Sequence, residues 1–166
     1  AVRTSFATSP PGPARRQVRA ALDVIPVYLK PGAVVQVRLS RDLRLGQSLS
    51  GGAVAALVLT SPQEEVQASV LNSQQQSGEV SLRPSPGGFA IRLSNLAKRQ
   101  HLLICGAKVS RVEVDGQTLP KLSQTEPLSG SAGWRADPAA KQVSVVLPPL
   151  TDAKAAPVRT IQVRLH

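Results

Sequence analysis

Residues 21–39 read ALDVIPVYLKPGAVVQVRL, and the fold turns on how this stretch divides. Two short apolar runs, 23–29 and 33–39, are separated only by Lys30-Pro31-Gly32. In the second run Ala33, Val35, Val37 and Leu39 alternate with Val34, Gln36 and Arg38, the period of two expected of a half-buried strand. Pro31 fixes φ and Gly32 admits a positive φ, so the chain can reverse tightly between two strands. Pro26 lacks a backbone donor, which makes the first run an edge strand or starts it after the proline. A bare edge calls for a cover. Two covers are open: another protein chain or domain lying on the 22–39 edge, or the front segment of this chain.

Working outward, the same alternation recurs. GFAIRLS (88–94) sets Phe89, Ile91 and Leu93 on one face, QVSVVL follows suit, and RTIQVRL does so through Ile161, Val163 and Leu165. AVAALVLT (53–60) and HLLICG (101–106) are apolar on both faces, the signature of strands inside a sheet. Strand breakers separate the runs: KPG, LSGG, SP, SPGG, DGQ and LPPL. Asp115-Gly116 predicts a two-residue hairpin, whose type I′ turn needs positive φ at both positions. Fourteen Pro and twelve Gly spread along the chain argue against long helices. Short helical stretches stay open near 15–22 and 96–100, and 71–79 (LNSQQQSGE) reads as a polar loop. The fold class expected is all-β: an antiparallel β-sandwich, either single or as two small packed sandwiches, behind an irregular basic N-terminal segment. The divisions expected are 1–21 for that segment, 22–62 for a first, partial sandwich and 63–166 for a second. The buried faces expected run through Ile25, Val27, Leu29, Val35, Val37, Leu39, Leu57, Leu59, Ile91, Ile104, Val112, Val114, Val145, Ile161 and Val163.

Composition narrows function. The 166 residues are 42% hydrophobic, within the globular range, yet only 2% aromatic. The core must be aliphatic, and surfaces that stack sugars or bases on aromatic rings are hard to assemble from Phe6, Tyr28, Phe89 and Trp134. Trp134, beside a Gly turn and Ala-Asp-Pro, reads as a cap on the core. Net charge is +10. Residues 1–50 hold Arg3, Arg15, Arg16, Arg19, Lys30, Arg38, Arg41 and Arg44 against only Asp23 and Asp42. Such a basic front suits RNA, an acidic lipid face or an acidic protein neighbour, or simply keeps the surface solvated. Arg15, Arg16, Arg19, Arg38, Arg41 and Arg44 are the expected partner-facing charges. No apolar stretch approaches the roughly 20 residues that span a bilayer as a helix. With Ala first, the chain reads as processed or excised. Its opening AVRTSFATSPPGPARRQVRAAL, with four Arg and no acid, has the make-up of an organellar transit sequence or its remnant, and equally of a Pro-rich linker.

Residue chemistry points away from catalysis. The acids lie in turns or on polar faces: Glu64-Glu65 follow Ser-Pro, Asp115 is in the hairpin and Asp137 precedes Pro138. His101 opens an apolar run and His166 stands last, so no histidine pair has metal-ligand spacing. Cys105, the sole cysteine, can form no internal disulfide and reads as a small core residue. There is no Gly-x-Ser-x-Gly elbow and no phosphate-cradling Gly-x-x-x-x-Gly-Lys. No catalytic, metal or cofactor residues are expected.

LDVIPVYLKPGAVVQV resembles the strand–turn–strand that follows the catalytic barrel in glycoside hydrolase family 31, the α-glucosidase and α-xylosidase family. Leu22, Ile25, Pro26, Val27, Lys30, Gly32, Val34 and Val35 match that family's pattern. Gln36 stands where the family usually has Pro, and Pro31 where it often has Ala. HLLICGAKVSRVEVDGQTLPKL (101–122) is similar to the family's distal sandwich, and GWRADPAAKQVSVVLPPL with RTIQVRL to its terminal strands. The family's Asp-Asp-Gly-Glu turn is missing, and so is the barrel that carries the catalytic aspartates. The resemblance therefore implies non-catalytic C-terminal sandwiches that brace a catalytic partner and, in places, shape its substrate entrance. On that footing the compartment is of secretory or lysosomal type. Read from the basic front instead, the chain is a structural subunit of an organellar assembly, a mitochondrial ribosome or respiratory complex.

Overall fold

The structure, a computed structural model, describes residues 3–8, 24–39, 54–71, 75–96, 101–124, 131–149 and 158–166. Thirteen strands follow in chain order: β1 (Arg3–Thr8), β2 (Val24–Leu29), β3 (Val34–Leu39), β4 (Val54–Thr60), β5 (Val66–Leu71), β6 (Ser77–Ser85), β7 (Gly88–Ser94), β8 (His101–Cys105), β9 (Val109–Val114), β10 (Gln117–Thr118), β11 (Gly133–Asp137), β12 (Gln142–Val146) and β13 (Val158–Leu165). No helix occurs among the described residues. Most of the two short stretches left open for helices, and residues 72–74 of the expected polar loop, lie outside them. That loop is shorter than its composition suggests, because β5 runs to Leu71 and β6 begins at Ser77.

The strands form a six-stranded sheet, β10-β9-β13-β7-β6-β5, a five-stranded sheet, β11-β12-β8-β4-β3, and the pair β1-β2. Every pairing in the six-stranded sheet is antiparallel. In the five-stranded sheet only β4 and β8 run parallel. The chain leaves β4, builds β5, β6 and β7 in the opposite sheet and returns at β8. β3 and β4 therefore share one sheet with β8, β11 and β12, across the boundary expected at 62/63.

The two large sheets face each other across one aliphatic core. Leu57 and Leu59 of β4, Leu102 and Ile104 of β8, and Val143 and Val145 of β12 meet Leu82, Phe89, Ile91, Ile161 and Val163 from the other sheet. Each such side chain contributes about 1.5–3 kcal/mol when taken out of water. Trp134 closes this core at β11, with the Lys121 ammonium 5.2 Å from its ring centre. The alternate residues of β4 and β8, Val58, Leu103 and Cys105, turn to a second core with Leu29, Val27, Ala33, Val35 and Val37. The two-faced apolar runs are thus inner strands covered on both sides, as their sequence requires.

The Pro-Gly turn reverses the chain, but the strands it joins do not pair. Ala33 N–H donates to the Lys30 carbonyl at 3.1 Å, and Gly32 has φ +72°, the type II geometry that Pro-Gly favours. Beyond it β2 and β3 part into different layers. Pro86-Gly87 closes a paired hairpin between β6 and β7. The difference is burial: Val27 and Leu29 gain more by lying across the apolar face of β3, β4 and β8 than by extending an edge. A buried hydroxyl holds the crossing. Thr60 Oγ1 donates to the Lys30 carbonyl at 2.7 Å and accepts from Ala33 N–H at 2.8 Å.

The front segment is not wholly irregular. Its residues 3–8 form β1, which pairs in parallel along all of β2, from Arg3 opposite Val24 to Thr8 opposite Leu29. RTSFAT holds one large apolar residue in six, too weak a period to announce a strand.

Candidate functional site

The outer face of the six-stranded sheet is polar because its strands alternate strictly. Val80 and Leu82 of β6 and Phe89, Ile91 and Leu93 of β7 point into the core, so the residues between them point out. Register gathers these polar positions. Gln67 lies opposite Ser81 and Ser69 opposite Glu79, while Ser81 faces Arg92 and Glu79 faces Ser94. The six side chains line an open groove of about 290 Å³ across β5, β6 and β7.

The groove's electrostatics are balanced and largely uncommitted. Glu65 at its rim is paired with Arg83, carboxylate to guanidinium at 3.3 Å, with both side chains well exposed. Glu79 and Arg92 occupy diagonal positions on neighbouring strands. Neither forms an ion pair or hydrogen bond among the described residues. The groove thus offers one free carboxylate, one free guanidinium, three hydroxyls and an amide. That inventory can bind hydrogen-bonding groups of either sense and carries no excess of one charge.

A second polar cluster is structural. The Asp115-Gly116 hairpin forms as its sequence dictates, with φ +50° and +83°, and joins Val114 to Gln117. Asp115 Oδ1 accepts from Thr160 N–H at 2.8 Å. Arg159, only 3% exposed, continues the inward face of β13 and reaches Asp115 Oδ2 at 3.4 Å through Nε. Its Nη1 donates to the Pro148 carbonyl at 2.6 Å. A buried cation needs such partners. Sequence reading placed Asp115 in the turn but missed Arg159, whose inward position in RTIQVRL follows from counting back two from Ile161.

The remaining reactive groups are insulated. Burial pushes the Cys105 thiol up to about 11, so it stays protonated and inert at neutral pH. Burial also lowers the His101 imidazole from its ordinary value, and its Nδ1 has no hydrogen-bond partner among the described residues. No group of three or more His, Cys, Asp or Glu suited to a metal ion occurs among the described residues.

Of the six arginines expected to face a partner, Arg15, Arg16, Arg19, Arg41 and Arg44 lie outside the described residues. Arg38 is on β3, opposite Ala55 of β4, and its side chain also lies outside the description. The groove was not singled out from sequence. Its residues are visible as the polar positions of VQASVL, SGEVSLRPS and GFAIRLS, but only the register makes them neighbours. No helix among the described residues is long and apolar enough to cross a membrane.

No family model matches the chain, and no curated protein is similar enough to count as a relative. Solved structures do share its fold. The cycloalternan-forming enzyme of Listeria monocytogenes, solved with a pentasaccharide substrate, superposes with a TM-score of 0.65 at 14% identity. The match covers 81% of this chain and 13% of the enzyme. The GH31 dextranase of Flavobacterium johnsoniae, solved with glucose, matches with a TM-score of 0.56 at 15% identity, over 89% of this chain and 21% of the dextranase. The chain thus corresponds to a small part of each enzyme. In fold it is similar to a sandwich portion of glycoside hydrolases that include a family 31 member, the same family that its strand–turn–strand stretch resembles.

Proposed function

We propose that this chain is a non-catalytic β-sandwich module of an α-glucosidase-like glycoside hydrolase, bracing a catalytic partner or domain. The observation that carries the reading is the asymmetry of coverage. Four fifths or more of this chain superposes on 13–21% of each enzyme. The closed aliphatic core between two sheets suits a rigid brace, since close-packed interiors transmit load with little give. Fold does not fix function, so the test is functional. The isolated chain, assayed on maltose and on an aryl α-glucoside, is expected to show no turnover, and co-purification from its source is expected to recover a barrel-bearing partner or a longer chain. Turnover by the isolated chain would overturn the reading.

Charge favours a second reading, a basic structural subunit of an organellar assembly that acts through protein or RNA contacts. The front fifty residues hold most of the excess positive charge. RNA binding with a log K that falls steeply with log[salt] supports it, and a slope near zero counts against its RNA-binding form.

A further inference from the structure

The polar groove across β5, β6 and β7 lies on the sheet face opposite the aliphatic core and takes no part in it. We propose that it is a binding site for a neutral, polyhydroxylated ligand, a short glucan segment held by hydrogen bonds and not by ring stacking. The inference rests on the module reading above for the glucan and on the groove's own chemistry for the class.

That chemistry excludes the alternatives in turn. A phosphate or other polyanion entering the groove meets Arg92 but also the Glu79 carboxylate, unpaired among the described residues. A cation meets the reverse conflict. An apolar ligand finds no aromatic side chain among the lining residues. A sugar suits the set. One pair of adjacent hydroxyls can accept from the Arg92 guanidinium, another can donate to the Glu79 carboxylate, and Gln67, Ser69, Ser81 and Ser94 can act in either sense. The volume of about 290 Å³ is that of a short segment, not of a long chain. Glu79 and Arg92, diagonal on neighbouring strands, form no ion pair with each other among the described residues. Both groups stay available. Without a stacking platform, affinity falls in the millimolar range and selectivity rests on hydroxyl geometry.

The test is an amide-resolved NMR titration of the full 166-residue chain with isomaltotriose. Saturable shifts confined to β5, β6 and β7 are expected, centred on Gln67, Ser81 and Arg92. Arg92→Ala and Glu79→Gln should each weaken binding at least tenfold while the rest of the spectrum is unchanged. Both side chains are exposed, so neither substitution threatens the fold. Absence of saturable shifts, or retention of full affinity by Arg92→Ala, overturns the proposal. So does a titration in which sulfate or an RNA oligonucleotide, and not the sugar, moves the same amides. These outcomes are independent of the turnover and co-purification results. The module reading can survive loss of the groove's role, and the groove can bind sugar even if the chain proves to have another partner.

Discussion

Single side chains decide how the layers of this molecule are held. Thr60 is 1% exposed, and its hydroxyl serves both ends of the Lys30–Ala33 turn. Valine keeps the shape and removes the hydroxyl, leaving the Lys30 carbonyl poorly served in a partly buried site. Thr60→Val is therefore expected to cost about 1–3 kcal/mol in urea unfolding. Cys105 gives a pH dependence of definite sign. Its thiol titrates near 9 in the open chain and at about 11 in the fold. Between those values the native state holds the proton that the unfolded state has lost, so stability is complete below pH 9 and falls as pH rises toward 11. The fall is up to about 1.4 kcal/mol per pH unit. Cys105→Ala should show a flatter stability profile across that window than the parent chain, measured by urea unfolding at each pH. A profile of equal slope would show that the thiol is not the group responsible.

At the scale of strands and turns, two adjacent glycines answer to different constraints. Gly87 has φ +70° and open space around a built Cβ, so Gly87→Ala meets only backbone strain, about 1–2 kcal/mol. Gly88 has ordinary φ, yet a Cβ there would sit 1.9 Å from the Val163 carbonyl oxygen of β13. Gly88→Ala must push β7 from β13 and is expected to cost about 3 kcal/mol by chemical denaturation, the upper end for overpacking. The edge of β5 is guarded by a side chain. Gln36 of β3 donates to the Leu71 carbonyl at 3.0 Å and accepts from Leu71 N–H at 3.2 Å, imitating a strand. The proline usual at this place in the family that the stretch resembles could make neither bond. Gln36→Ala should speed hydrogen exchange at the Leu71 amide several-fold with little loss of global stability, because the site is exposed.

These elements also show what could be read without coordinates. Alternation placed Leu29, Leu57, Leu59, Ile91, Ile104, Val112, Val114, Val145, Ile161 and Val163 inside, and all are buried. Val27, Val35 and Val37 are partly buried in the second core, while the side chains of Ile25 and Leu39 lie outside the description. Local turn chemistry announced the Asp115-Gly116 hairpin because two residues suffice to set it. What escaped was non-local. A period of two says that a strand has two faces but not which layer each face meets. For that reason the tight reversal at Pro31-Gly32 does not reveal that β2 and β3 part into different layers, and the groove's three strands could not be aligned.

For the molecule as a whole, the front arginines and the sandwich are separable in principle. Replacing Arg15, Arg16, Arg19, Arg38, Arg41 and Arg44 with Ser should weaken assembly with a partner while leaving the β-sheet circular dichroism intact. Loss of the folded signal would make those residues structural and remove them as partner-facing charges. The sheet order carries a further consequence. β13, formed by residues 158–165, lies between β9 and β7, in the middle of the six-stranded sheet. A nascent chain halted before residue 158 has β9 and β7 synthesised but no strand to join them, and Phe89, Ile91 and Val112 face a gap. Completion of this sheet must wait for β13, so a chain truncated before residue 158 is expected to leave β9 and β7 unjoined.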